Sequence, residues 1–262
     1  MILMQQNLIN EMDEVSRKIE YLVGSATTIN EMRELAAKTP FDNEIIDFLN
    51  TLSKMLMKLP EAKMYPDVIT LAFWMRKSSV MELRKRFMKQ TKDIVLGRGI
   101  AFHIAPSNVP VNYAYSLVTG LLTGNANIVR IPSKEFPQVS IINKAIKSIL
   151  EEYPNVARYI CLVRYERDSN INDLISGIAD IRIIWGGDNT IKEIRKSPLG
   201  ARANDVTFAD RYSLAVIDSE QYLAVDDKER LAEEFYNDTY LSDQNACTSP
   251  RMVVWLGNCK EE

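Results

Sequence analysis

Residues 99–134 decide the fold, and they read GIAFHIAPSNVPVNYAYSLVTGLLTGNANIVRIPSK. The apolar run at residues 100–104 predicts a buried strand, and the proline-bracketed turn after it leads into a helical pattern over residues 111–122. A second apolar run at residues 126–130 predicts another strand. A strand, a crossover helix and a second strand form the unit from which parallel sheets are built, so this stretch predicts an α/β fold.

The alternation of strands and helices extends beyond this stretch. Further strands are predicted at residues 94–96, 160–163, 181–185, 213–217 and 252–256. Helices are predicted at residues 139–153, 171–177, 190–196 and 226–240. We therefore expect a Rossmann-like, mostly parallel sheet with helices on both faces, which binds ligands beyond the carboxyl ends of its strands.

The region before the sheet is predicted to be helical. Asn30 is the expected N-cap of a helix over residues 31–38, and Asp42 is that of a longer helix ended by Pro60. Pro66 is expected to begin a third helix, because proline is tolerated in the first helical turn.

Composition excludes several classes of protein. The formal net charge of −3 over 262 residues provides no basic surface for nucleic acid, and no apolar run approaches the roughly 20 residues that span a membrane. Three cysteines without a regular spacing predict neither a disulfide framework nor a metal site. We therefore expect a cytoplasmic protein without a metal, a nucleic-acid partner or a membrane span.

The surroundings of the cysteines single out Cys247. It lies within residues 243–250, where its neighbours are polar or small, whereas Cys161 lies in an apolar run and is interpreted as a core residue. Cys259 lies near the polar end of the chain. Cys247 is therefore a candidate nucleophile, with an incidental thiol as the alternative, since reactivity depends on surroundings that a sequence does not show.

Asn108 is the second candidate for chemistry. Pro106 and Pro110 restrict the backbone on either side of it, at the end of a predicted strand. An amide fixed there can donate a hydrogen bond to a developing oxyanion. The alternative is that Asn108 only caps the following helix. His103 and Trp185 lie in apolar strands and are interpreted as core residues.

In their order and spacing, these segments resemble the aldehyde dehydrogenases. The shared motifs are Pro106-Ser107-Asn108-Val109-Pro110, Gly124-Asn125, Pro132-Ser133, Gly186-Gly187 and Gln244-Asn245-Ala246-Cys247. Within that superfamily the chain is most similar to the long-chain acyl-CoA (fatty acyl) reductases of the LuxC type, which accompany bacterial luciferase. That similarity is strongest in residues 130–133 and 247–250, and the whole resemblance covers residues 94–257.

The resemblance implies a reaction. Cys247 would attack the thioester carbonyl of a fatty acyl-CoA, with Asn108 and the Cys247 main-chain N–H as oxyanion donors. After CoA leaves, a nicotinamide would deliver hydride, and the thiohemiacetal would collapse to an aldehyde.

Hydrolytic relatives use a glutamate to activate water. Alignment places Phe208 there, with Asp210 as the alternative, and an apolar residue at that position favours reduction over hydrolysis.

The resemblance also implies where the cofactor binds. The residues concerned are Arg130, Pro132, Ser133, Lys134, Gly186 and Gly187. Lys134 stands where NAD enzymes carry a glutamate that holds ribose hydroxyls, and two cations without a carboxylate suit the 2′-phosphate of NADPH. The alternatives are NADH as the cofactor and two ordinary surface cations. The glycine pair matches the turn beside the pyrophosphate, where missing side chains let the backbone approach.

On this resemblance the chain comprises a helical region (1–93), an NAD(P)-binding domain (94–240) and the start of a truncated catalytic domain (241–262). Because family members continue well beyond the cysteine, we expect the isolated chain to be poorly active. The full-length protein is expected to be a homo-oligomer supplied by fatty acyl-CoA or by an acyl-protein synthetase subunit. A non-catalytic nucleotide-binding fragment or scaffold, and another acylating aldehyde dehydrogenase, remain the alternative functions.

Overall fold

The computed structural model describes residues 17–90, 93–241 and 243–259. The chain divides into two compact units, Met1–Ala209 and Asp210–Glu262. The helical region and the sheet that follows it share the first unit. The boundary expected at residues 240/241 falls inside the second unit.

The first unit is built on a six-stranded sheet. Its strands, numbered β1 to β6, are Glu20–Val23, Ile100–Ile104, Ala126–Arg130, Ile160–Arg164, Ile181–Gly186 and Asn204–Ala209. Their order is β1-β4-β3-β2-β5-β6, with β1 antiparallel to β4 and all other pairs parallel. The mostly parallel sheet is therefore confirmed. From β2 the chain moves outward to β3 and β4 and then crosses back to β5 on the other side of β2, so the carboxyl ends of β2 and β5 flank a topological switch point.

Helices cover this sheet. Those of the first unit, α1 to α9, are Ala26–Met32, Asn43–Lys58, Pro66–Trp74, Lys77–Gln90, Asn112–Leu122, Pro137–Leu150, Pro154–Ala157, Ser169–Ile178 and Asp188–Ile194, with a short 3₁₀ helix at Ala62–Met64. All five residues of β2 are buried, as are the first four of β3 and of β4. Because successive strand residues point to opposite faces, both faces of the central strands are covered.

Two of the three predicted helix starts are confirmed. The Asp42 carboxylate accepts from the main-chain N–H groups of Glu44 and Ile45 at the start of α2, and Pro66 is the first residue of α3. The prediction for Asn30 is wrong, because Asn30 lies inside α1. Ser25 caps that helix instead, in a capping box: its hydroxyl accepts from the Thr28 main-chain N–H, and its own main-chain N–H donates to the Thr28 hydroxyl.

The strand predicted at residues 94–96 is not formed. Ile94 is 93% exposed, and the segment is irregular. Both sides of β2, the strand that follows this apolar run, are paired with β3 and β5. The chain instead crosses closely over the turn at Gly124. A Cβ added to Gly97 would lie 2.2 Å from the Gly124 carbonyl oxygen.

A buried ion pair joins β5 to β6. Arg182 is 1% exposed, and its Nε and Nη2 donate to the Asp205 carboxylate at 2.8 and 3.1 Å. Its Nη1 donates to Ser176 Oγ and to the Ser197 carbonyl oxygen, both at 2.9 Å. A guanidinium removed from water needs such partners, and here it ties two strands to the end of α8 and to the loop after α9.

The second unit contains a parallel pair of strands, β7 (Ser213–Asp218) and β8 (Pro250–Leu256), with two helices, α10 (Ser219–Leu223) and α11 (Lys228–Tyr240). The single helix predicted at residues 226–240 corresponds to α11. None of the helices formed by the described residues is both long and apolar enough to span a bilayer.

Candidate active site

Parallel topology gathers the predicted residues of the first unit at one edge of the sheet. Asn108 follows β2, Pro132-Ser133-Lys134 follows β3, and Gly186-Gly187 closes β5. The carboxyl ends of parallel strands lie at the same edge, so three motifs that are far apart in sequence share one side of the unit.

Asn108 lies in the loop between β2 and α5, where it is exposed. The N-cap of α5 is Val111, which has no side-chain capping bond, and the helix begins at Asn112. The alternative that Asn108 caps this helix is therefore wrong, because Asn108 lies three residues before the cap. That the Asn108 amide donates a hydrogen bond to an oxyanion stays a prediction.

The two cations after β3 differ in their surroundings. The Arg130 guanidinium stacks over the Tyr165 ring, 4.5 Å from its centroid, and Nη2 donates to the Tyr165 carbonyl oxygen at 3.3 Å. Lys134 is exposed, with Nζ 4.7 Å from the centroid of the Phe136 ring, and has no ion-pair partner among the residues described. Of these two cationic side chains, that of Lys134 is the more accessible to an anionic ligand.

The two glycines after β5 also differ. A Cβ added to Gly186 would lie 3.0 Å from Thr190 Cγ2, so packing within the protein already favours glycine there. A Cβ added to Gly187 would meet nothing within 4 Å, and its backbone (φ −67°, ψ 167°) suits any residue. The protein itself therefore does not require glycine at position 187, and the open space beside it can take a ligand.

A chain of buried hydrogen bonds runs through the centre of the sheet. Trp185 Nε1–H donates to Ser116 Oγ at 3.2 Å, and Ser116 Oγ lies 2.7 Å from His103 Nδ1. His103 Nε2 lies 3.0 Å from Asn127 Oδ1, while Asn127 Nδ2 donates to the Asn125 carbonyl oxygen at 2.7 Å. Because Asn127 Oδ1 can only accept, His103 Nε2 carries the proton and Nδ1 accepts from the serine hydroxyl. This assigns a neutral imidazole, in agreement with its interpretation as a structural residue.

Burial lowers the pKa of His103 to about 4, and the hydrogen bond to Asn127 only partly opposes this shift. The unfolded chain binds a proton near its usual pKa of about 6.5, so folding stability should fall as pH drops from about 6.5 towards 4, by up to roughly 1.4 kcal/mol per pH unit. Urea unfolding at a series of pH values should show this slope. His103 is the chain's single histidine. His103→Gln should therefore flatten the slope above about pH 5, and an unchanged slope would assign it to other groups.

The network ends at an aromatic pair. Trp185, predicted to be a core residue, is only partly buried, and its ring stacks on Phe208 with centroids 4.0 Å apart and planes 13° from parallel. Phe208, in β6, is 46% exposed. The acidic residue of this strand, Asp205, is bound to Arg182. Sequence inspection missed this pair because the strand β6 was not predicted.

Cys247 lies in the second unit, in the loop between α11 and β8, and is exposed. Asp243 and Gln244 in this loop have φ values of 49° and 58°, an unusual left-handed backbone for residues other than glycine. The Ser213 hydroxyl donates to the Cys247 carbonyl oxygen at 2.6 Å and so fixes the cysteine's main chain to the start of β7. The role of Ser213 was missed, since nothing in the sequence pairs it with a residue 34 positions away.

The other cysteines have different surroundings. Cys161 is fully buried, as predicted, and burial raises the pKa of its thiol to about 12. Cys259 is partly buried, and all three cysteines are free. The described part of the chain contains no group of three or more histidine, cysteine or acidic residues that could hold a metal ion.

Comparison with known proteins gives a consistent family. The family model for acyl-CoA reductase (LuxC) matches residues 7–260. The long-chain acyl-protein thioester reductase of Aliivibrio fischeri is 25% identical over 163 residues, 62% of this chain and 33% of that protein. The long-chain acyl-protein thioester reductase 2 of Photobacterium leiognathi is 27% identical over 167 residues, with the same two coverages. The match thus spans about one third of each of these relatives.

Solved structures share the fold. HpcC from Thermus thermophilus superposes with a TM-score of 0.60 at 12% identity, over 87% of this chain and 47% of that one. Betaine aldehyde dehydrogenase from Staphylococcus aureus, in complex with NAD+, gives a TM-score of 0.56 at 14% identity, over 83% and 46% of the two chains. The fold is therefore that of the aldehyde dehydrogenases.

Proposed function

Because this chain belongs to the acyl-CoA reductase (LuxC) family, we propose that it carries the nucleophile and the nucleotide site of a fatty acyl thioester reductase that uses NADPH. The observation that carries the proposal is the placement of Cys247, an exposed thiol whose main chain is held by Ser213 at 2.6 Å. Two relatives named long-chain acyl-protein thioester reductases support a long-chain acyl thioester as the substrate.

In this proposal Cys247 attacks the thioester carbonyl as the thiolate and becomes acylated while the donor thiol leaves. The amide of Asn108 and the main-chain N–H of Cys247 donate to the oxyanion that forms, and losing one such donor typically slows a reaction by about 10²–10³. The donor is an acyl-CoA or, as the names of the relatives suggest, an acylated protein. A homo-oligomer and an acyl-protein synthetase subunit belong to the same proposal for the full-length enzyme.

The absence of a water-activating carboxylate from β6 favours reduction over hydrolysis. The exposed part of β6 carries Phe208, stacked on Trp185, and Asp205 of this strand is occupied by Arg182. A base that activates water must reach it with a free carboxylate. Asp210, the alternative base, lies one residue beyond β6 and is exposed, so hydrolysis, seen as release of tetradecanoate, is the competing outcome.

The sheet edge fits a nicotinamide dinucleotide. The open space at Gly187 suits the close approach of a pyrophosphate to the backbone, and the exposed ammonium of Lys134 suits a phosphate on the ribose. Pro132 and Ser133 directly precede this lysine in the loop after β3, and Arg130 is a second, less accessible cation. When bound, the nicotinamide supplies the hydride that reduces the acyl group. NADH is the alternative cofactor.

Gly187→Ala is expected to weaken NADPH binding about tenfold, or roughly 1.4 kcal/mol, because its methyl group occupies the space offered to the pyrophosphate. The variant should fold as well as the wild type, since a Cβ meets nothing within 4 Å. Isothermal titration with NADPH measures the change. Gly200→Ala is the matched control, because its Cβ also meets nothing within 4 Å and it lies outside the motif. Equal affinities of the two variants would remove Gly187 from the site.

Lys134→Gln is expected to weaken NADPH binding by roughly tenfold and to leave NADH binding unchanged, because only NADPH carries the phosphate that the ammonium would pair with. Lys144→Gln, an exposed lysine on α6, is the control for general loss of charge. Titration of both variants with both nucleotides gives the answer. A parallel loss of NADPH and NADH affinity would contradict a role in recognising the 2′-phosphate.

The experiment that tests the proposed function is a single-turnover acylation. The chain is incubated with radiolabelled tetradecanoyl-CoA, the labelled peptide is mapped, and NADPH or NADH is then added. Label on the Cys247 peptide, released as tetradecanal by NADPH, supports the reductase. Nucleotide binding without label on any cysteine would instead support the non-catalytic scaffold. Label lost as tetradecanoate without nucleotide would indicate hydrolysis.

A further inference from the structure

The second unit contains a cavity of about 780 Å³ between its two strands and its longer helix. Side chains of β7, β8 and α11 line it, including Ile217, Val253, Trp255, Leu231 and Phe235. Its volume lies within the range of about 300–1,000 Å³ that is usual for small-molecule sites. Neither the thiol chemistry nor the nucleotide site described above uses this space.

Small residues keep the cavity open. Ala215 of β7 and Ala232 of α11 both line it, among larger apolar neighbours. Leu231 and Phe235, four residues apart on α11, are both partly buried, whereas Ala232 is exposed. A larger side chain at either alanine would occupy part of the space.

The two charged lining residues lie towards opposite ends of α11. Lys228 Nζ donates to the carbonyl oxygens of Leu223 and Val225, at 3.1 and 3.0 Å, and so is already engaged at the start of α11. Asp238 lies near the other end of the helix. The lining between these two charged residues is mostly apolar, and an apolar lining suits a flexible hydrocarbon better than a compact anion.

One end of the cavity adjoins the proposed nucleophile. Thr248, the residue after Cys247, is part of the lining, as is Pro250 at the start of β8. The Cys247 carbonyl oxygen is bound to Ser213, and the next residue of that strand, Leu214, also lines the space. A thioester on Cys247 would therefore begin beside an apolar cavity of the same unit.

We propose that this cavity binds the hydrocarbon chain of the acyl group carried by Cys247. The inference rests on the proposed function and adds to it the site that would confer preference for long acyl chains. A short acyl group would not need the cavity, so filling it should alter chain-length preference rather than the chemistry at the thiol.

The test uses the 262-residue chain and two tryptophan variants of α11. Ala232→Trp fills the cavity, and Glu233→Trp places the same residue at the next, exposed position, which is not part of the lining. Binding is followed by the fluorescence of cis-parinaric acid and its displacement by tetradecanoyl-CoA. Acylation of Cys247 is measured separately with tetradecanoyl-CoA and butyryl-CoA. Ala215→Leu is a second filling variant on the opposite wall.

The expected result is that Ala232→Trp and Ala215→Leu bind the probe at least roughly tenfold more weakly, since leaving only two methylenes in water has about that effect. Both should be acylated more slowly by tetradecanoyl-CoA and as fast as wild type by butyryl-CoA, and Glu233→Trp should behave as wild type. Equal probe binding by Ala232→Trp and Glu233→Trp would overturn the cavity assignment. Failure of both acyl-CoAs to label the wild type would instead overturn the proposed function.

Discussion

Cys247→Ala is expected to lose all covalent labelling by acyl-CoA, whereas Cys259→Ala should be labelled like the wild type. The reason is that only a thiolate reacts with a thioester, and Cys247 is the exposed thiol among the three cysteines. Cys161 cannot substitute for it at neutral pH, because it is fully buried and burial raises its pKa to about 12. Mass spectrometry of the intact variants after acylation gives the stoichiometry directly.

The Cys259→Ala control distinguishes labelling of the nucleophile from labelling of any accessible thiol. Cys259 lies in the same unit and is also a free cysteine, so it reports any labelling that depends only on access. Because Cys247 is exposed, its replacement by alanine should leave the circular dichroism spectrum and the unfolding transition unchanged. Label that persists on Cys247→Ala, or that disappears from Cys259→Ala, would show that the nucleophile has been assigned to the wrong residue.

The parallel strands could be predicted because they are buried on both faces. β2 to β4 are continuous apolar runs in the sequence and are almost fully buried in the fold. The two strands that sequence inspection missed are the edges of the sheet. β1 has four residues, and the residues of β6 alternate between exposed and partly buried. An edge strand has a weaker apolar signal, and its pairing is decided by neighbours that are distant in sequence.

The sequence allowed the location of those site residues that lie in loops directly after strands to be predicted. Once the sheet is parallel, Asn108, Lys134 and Gly187 must lie at one edge, whatever their separation in the chain. The partners of each side chain were not predictable, because they depend on strand register. Ser213 with Cys247 and Trp185 with Ser116 are separated by 34 and 69 positions, and neither pair has a local sequence signal.

Asp205→Ala is expected to lower the free energy of unfolding by about 3–5 kcal/mol, the usual effect of removing one partner from a buried ion pair. The variant leaves the Arg182 guanidinium, 1% exposed, without the carboxylate that accepts its Nε and Nη2 hydrogen bonds. Ser176 and Ser197 still accept from Nη1, but neither carries a charge that offsets the buried cation. Urea unfolding followed by circular dichroism measures the loss.

Arg195→Ala measures the contribution of the exposed Arg195–Asp205 ion pair, for comparison with that of the buried Arg182–Asp205 pair. Arg195 contacts the same carboxylate at 3.3 Å but is 52% exposed, so its removal should cost less than about 1 kcal/mol. Adding Arg182→Met to Asp205→Ala should recover part of the lost stability, because it removes the unpaired charge and keeps an apolar side chain of similar length in the core. If Asp205→Ala were as mild as Arg195→Ala, the guanidinium would have to be reaching water. If the double variant were less stable than Asp205→Ala, the bonds from Arg182 to Ser176 and Ser197 would contribute more than the unpaired charge costs.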